Sequence, residues 1–135
     1  MIIAGKPTKI NADKKRVFDF LSDFNHYEKL MPDQIVNWES NQDACSFTIK
    51  GMTSLALKYK DKTPHHLIDI VPDGKSPISF NLRIELEEDT MNEQQTVASV
   101  KIDADLNPMM AMIAKKPLEN LVNIIGEKLN TEFDK

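Results

Sequence analysis

From residue 45 to residue 106 the chain alternates. In "CSFTIKG", Cys45, Phe47 and Ile49 are separated by Ser46, Thr48 and Lys50, and Gly51 closes the run. In "SLALKYKDK", Leu55, Leu57 and Tyr59 share one face, opposite Lys58 and Lys60. "HHLIDIVPD" is apolar on both sides around Asp69 and ends in a Pro-Asp-Gly turn. "SFNLRIELEED" sets Phe80, Leu82, Ile84 and Leu86 against Asn81, Arg83, Glu85 and Glu87. "TVASVKIDADL" sets Ala98, Val100, Ile102, Ala104 and Leu106 against Ser99, Lys101, Asp103 and Asp105. A two-residue period with one apolar face predicts strands of an antiparallel sheet, wet on one side and buried on the other.

The two ends of the chain have other patterns. Residues 2–10 predict a strand, with Pro7 marking an edge or a bend. Asn11 and Asp13 offer a helix cap, and Val17, Phe18, Leu21 and Phe24 follow at helical spacing. "DFNHYEKLMPD" predicts a second short helix, ended by Pro32. At the far end, Asn107 as N-cap and Pro108 at the first helical position open a long helix of about 25 residues. Its stripe is Leu118, Leu121, Val122, Ile125, Leu129 and Phe133, and Pro117 is expected to kink or divide it. The expected whole is one α+β domain over residues 1–135, its helices on one side of an antiparallel sheet.

The opening "KINADKKRVFDFLSDFNHYEKLMP" and the terminal "NPMMAMIAKKPLENLVNIIGEKL", in this order around the strands, resemble the START/Bet-v-like (SRPBCC) superfamily, with its polyketide cyclase-like and coenzyme Q-binding-like members. The resemblance implies a helix-grip fold: a curled antiparallel sheet wrapped around a long C-terminal helix, two short helices after the first strand, and a cavity beneath the long helix. It also implies a hydrophobic or amphipathic guest of lipid, quinone or polyketide type. No catalytic residue carries over by motif.

That expectation gives meaning to "PMMAMI". Methionine is flexible and polarizable, and fits a space whose shape varies with its guest. Met109, Met112 and Ile113, at i, i+3 and i+4, are expected on the inner face, although a methionine stripe is also ordinary core. The expected ligand-binding lining is Phe47, Tyr59, Phe80, Leu82, Met109, Met112, Ile113 and Leu121. Tyr59 would orient a polar end of the ligand with its hydroxyl. A charged residue at Met112 should then abolish binding.

Composition narrows the field. A net charge of −4 gives no cationic surface for nucleic acid, and Lys14, Lys15 and Arg16 read as a solvated helix face. Cys45 is the sole cysteine, so no internal disulfide and no cysteine-based zinc site are expected. It reads as a buried small hydrophobe in a cytoplasmic protein. The start lacks the apolar run of a signal peptide, and no stretch of 18 apolar residues predicts a membrane span. His65 and His66, as strand neighbours, would face opposite ways and cannot chelate one ion. No cofactor and no catalytic residue are assigned; the expected partner is a small hydrophobic molecule, and the chain a monomer or weak homodimer. Two rival readings stand beside the binder: a protein-interaction module with a collapsed cavity, and a cyclase- or aromatase-like enzyme using Tyr59 with an inward histidine.

Overall fold

A computed structural model describes residues 1–76 and 78–134. Eight strands form one antiparallel sheet: β1 (Ile2–Ala4), β2 (Thr8–Ile10), β3 (Ile35–Ser40), β4 (Ala44–Ile49), β5 (Ser54–Thr63), β6 (Leu67–Pro72), β7 (Ser79–Asp89) and β8 (Asn92–Asp105). Their order is β1-β8-β7-β6-β5-β4-β3, with β2 also paired to β8. Two helices complete the fold, α1 (Lys14–Leu21) and α2 (Pro108–Phe133).

The alternating stretches become β4, β5, β7 and β8 with the predicted facing. Cys45, Phe47, Ile49, Leu57, Leu82, Ile84, Leu86, Ala98, Val100, Ile102 and Ala104 are buried, and Asp103 and Asp105 are exposed. Ile3, Ile10, the buried face of α1 and the α2 residues Val122, Ile125 and Leu129 join them in one core. Burial of large aliphatic side chains at about 2 kcal/mol each is the force that curls this sheet around α2.

Several local expectations are corrected. The opening strand is two strands, because after the Gly5 N–H bond to Val100 O at 2.9 Å regular pairing lapses through Lys6 and Pro7 until Thr8. The second short helix is a pair of 3-10 turns, Phe24–His26 and Glu28–Leu30, the first capped by the Asp23 carboxylate on Asn25 N–H. Strand β3 has no counterpart in the alternation, since a bulge at Asn37, with φ of 56°, breaks its two-residue period. His65 and His66 lie in the turn before β6, not in a strand; His65 has φ of 67° and meets the Phe18 ring edge-on at 5.7 Å.

Helix α2 starts as predicted: Asn107 Oδ1 accepts from Met110 N–H at 2.8 Å and Pro108 follows. Pro117 does not divide it; the helix runs through to Phe133. Among the described residues, the polar ties between α2 and the rest of the fold lie beyond Pro117. Lys6 N–H donates to Asn123 Oδ1 at 3.0 Å, Asn130 Nδ2 to Lys9 O at 2.7 Å, and Lys128 Nζ to Met31 O at 2.7 Å. Gly126 permits the closest approach, since a Cβ there would stand 2.7 Å from Thr8 Oγ1.

Candidate functional site

Beneath α2, at the end of the sheet where β4, β5, β7 and β8 converge, the core leaves a cavity of about 50 Å³. Phe47, Ile49, Leu55 and Leu57 line one wall, and Phe80, Leu82, Ile102 and Ala104 the other. Leu118 and Leu121 of α2 form the roof. Met52 and Thr53 from the β4–β5 turn and Ile78 from the β6–β7 loop complete the lining. The two-residue period explains the walls, because inward positions on neighbouring strands stack in register: Phe80 pairs with Ala104 and Leu82 with Ile102. A smaller gap between Pro32, Gln34, Ile35 and Pro117 shares Ile49, Met52, Leu118 and Leu121 with the cavity and extends it toward Pro117.

The lining is hydrocarbon except for the Met52 thioether and the Thr53 hydroxyl. Trp38 of β3 stands behind it, stacked on Phe47 with ring centroids 5.4 Å apart and planes 9° from parallel. Its Nε1 is buried and has no acceptor among the described residues. The available volume is smaller than the roughly 150 Å³ of an apolar cavity that admits benzene. A larger guest therefore requires the lining at the mouth to move, and Met52, 37% exposed, is the most open part of it.

Of the residues expected to line a site, Phe47, Phe80, Leu82 and Leu121 stand on this cavity. Tyr59 does not. Its hydroxyl donates to Leu21 O at 2.6 Å and its ring stacks on Phe24 at 4.2 Å, which turns it toward α1. Met109, Met112 and Ile113 are also elsewhere: they are 73%, 85% and 65% exposed. The buried stripe of α2 passes through Ala114, Val122, Ile125 and Leu129, and at 100° per residue these three fall on the other side. A charge at Met112 is thus not expected to disturb the cavity, contrary to the reading from spacing. Met52 and Ile78, which sequence reasoning missed, come from loops, where no period reveals facing; Leu118, Ala104 and Ile102 were legible as inner-face positions.

Three polar side chains sit deeper in the same core. Tyr27 donates to Leu21 O at 2.7 Å. Burial, then the neighbouring Tyr59, holds its hydroxyl pKa well above the usual tyrosine range. Burial raises Tyr59 as well, and pushes the Cys45 thiol up to about 12. All three are neutral at physiological pH, so none supplies an anion or nucleophile to the cavity. Tyr59 is bonded to neither His65 nor His66: its hydroxyl goes to Leu21 O, His65 rests on Phe18 and His66 is exposed. Among the described residues no group of acidic, histidine or cysteine side chains has the spacing to hold a metal ion.

No family model matches the sequence, and neither does any curated protein. Solved structures do match, over nearly the full length. A START superfamily protein from Mycobacterium smegmatis superposes with a TM-score of 0.70 at 13% identity, covering 98% of this chain and 97% of that one. The chain has the fold of that START superfamily protein, the helix-grip arrangement. The protein XoxI from Bacillus cereus gives a TM-score of 0.76 at 9% identity, covering 99% of this chain and 96% of that one. Norcoclaurine synthase from Thalictrum flavum gives 0.71 at 12% identity, covering 98% and 85%. At such identities the shared property is the helix-grip architecture. No helix of the described residues is long and apolar enough to cross a membrane.

Proposed function

We propose that residues 1–135 act as one unit that binds a small hydrophobic or amphipathic molecule, of lipid, quinone or polyketide type, between the sheet and α2. The observation that carries this reading is the predominantly apolar cavity roofed by Leu118 and Leu121. A packed core of this size normally leaves few voids larger than a water molecule. This one lies where a Met-bearing turn meets Leu118 and Leu121 of α2, and the described polar ties of that helix to the rest of the fold lie farther along it. An apolar pocket with few polar groups is what recognition of a hydrocarbon skeleton requires. The buried, reduced Cys45 fits a cytoplasmic setting.

The enzyme reading draws on the synthase among the similar structures. It lacks support at the cavity, whose described lining has no acid or base to move a proton. The interaction-module reading has a specific observation in its favour, the small volume of the cavity.

One experiment separates binder from module. Native mass spectrometry of the full chain, after incubation with single-chain lipids, quinones and aromatic polyketides, reports any stoichiometric adduct. Ala104→Val adds two methyl groups at the buried wall, and is expected to lower occupancy by about tenfold or more while costing no more than about 1–2 kcal/mol of stability. Trp38, the single tryptophan, should report the same binding by its emission. Absence of any adduct across the panel would transfer the reading to the interaction module, and an adduct indifferent to Ala104→Val would move the site elsewhere.

A further inference from the structure

The first turns of α2 present a face that none of the described residues covers. Exposed apolar side chains are ordinary when scattered. Met109, Met112 and Ile113 are not scattered: they stand at i, i+3 and i+4, so their side chains adjoin on one side of the helix. Lys116 lies on the same side and Lys115 on its flank. Between Pro108 and Pro117 the helix carries these two lysines and no acidic residue, in a chain whose net charge is −4. The helix N-terminus adds partial positive charge, and no acid in the first turn cancels it. The nearest acids in sequence are Asp105, ahead of the cap, and Glu119, beyond Pro117.

We propose that this face docks on the surface of an anionic phospholipid bilayer. Met109, Met112 and Ile113 would enter the boundary between headgroups and acyl chains, with α2 lying in the plane of the interface. Lys115 and Lys116 would extend their stems along the apolar side chains and place their ammonium groups among the phosphates. Association of two copies through this face is disfavoured on two counts. Three apolar side chains are far short of the roughly 20–30 residues a side of a stable interface. A symmetric contact would also bring the same two lysines against each other. A bilayer has neither difficulty: it needs no shape complementarity, and its charge is opposite.

Docking of this kind is peripheral, and is expected to be weak and reversible, on the order of a single acyl anchor at about 10⁴ M⁻¹ in lipid. It does not depend on whether the cavity holds a ligand. Pro117, Leu118 and Leu121, which follow on the same helix, border the cavity or its extension.

The test uses the full chain with sedimentable vesicles of phosphatidylcholine alone, or with about a third phosphatidylserine. The expected result is binding to the mixed vesicles, weaker by roughly thirtyfold on neutral ones and by a similar factor for the double variant Lys115→Ala/Lys116→Ala. Met112→Asp should lower binding about tenfold or more without changing the thermal midpoint, since the side chain touches little of the core. Ligand occupancy of the cavity should be unchanged in that variant, so failure here and failure of the cavity reading are distinguishable. Wild-type protein remaining in solution with both vesicle types would overturn the proposal. So would Met112→Asp binding as tightly as wild type, or a concentration-dependent dimer that Met112→Asp dissolves, which would assign the face to a second copy.

Discussion

Tyr27 and Tyr59 end on one atom. Their hydroxyls approach the carbonyl oxygen of Leu21 from a 3-10 turn and from β5, at 2.7 and 2.6 Å, and fill both of its lone pairs. The last turn of α1 is thereby fixed to the sheet through side chains contributed by segments 32 residues apart in sequence.

Removing either hydroxyl by Tyr27→Phe or Tyr59→Phe is expected to cost about 1 kcal/mol, because the Leu21 oxygen keeps one partner. The double variant should cost more than the sum, having stranded a buried acceptor. Denaturant titration of the four proteins measures this; strict additivity would mean that the shared acceptor does not couple them.

The same pair predicts a pH dependence. Burial raises both folded-state pKa values above those of the unfolded chain, so the folded protein keeps its protons longer. Their contribution is fully present below about pH 10, the unfolded tyrosine value, and is lost as pH rises above it toward the folded values. Stability measured from pH 8 upward should fall above about pH 10, and fall less steeply in the double phenylalanine variant.

Gly126→Ala should destabilise, although alanine is the better helix former by about 1 kcal/mol. The new methyl would meet Thr8 Oγ1 at 2.7 Å, and a β-branched side chain in a strand has little room to rotate away. A net loss of about 1–2 kcal/mol is expected. Adding Thr8→Ala should reverse the sign. If the two changes simply add, the contact between α2 and β2 is looser than described.

Pro117→Ala restores an N–H that can bond to the carbonyl four residues earlier, Ile113 O. The expected gain is about 1–3 kcal/mol, offset in part by the smaller side chain on the gap that Pro117 shares with Pro32 and Ile35. Amide exchange in residues 108–117 should slow, and ligand uptake with it if this part of α2 moves to admit the guest. Unchanged exchange would indicate that the proline does not limit the order of the helix.

Period decides what could be read from the chain before its structure. Strands β4, β5, β7 and β8 declared both their existence and their facing, because alternation specifies which side each residue takes. The cavity walls Phe47, Phe80 and Leu82 followed from that alone. The helix α2 was equally plain, but its phase was not: Met112 and Ile113 have helical spacing of their own, and only the packing of Ala114 shows that the buried stripe passes beside them. Spacing identifies a stripe, and the sheet chooses which stripe it covers. Tyr59 was misplaced for a related reason. It shares its face with Leu55 and Leu57, yet the bulge between Tyr59 and Asp61 and a carbonyl from distant α1 redirect it. Neither leaves a local signature.

The first strand closes the sheet only with the last. Ile3 pairs with Ile102, and the terminal amine donates to Ala104 O at 2.9 Å. During synthesis the β1 residues are therefore without partners until β8 has been made, and α2, which covers them, is made later still. The meander from β3 to β7 can form from neighbours as it emerges, but closure waits on contacts about a hundred residues apart. The apolar opening "MII" is exposed throughout that interval. Nascent chains stalled short of β8 should need a chaperone that the finished protein does not.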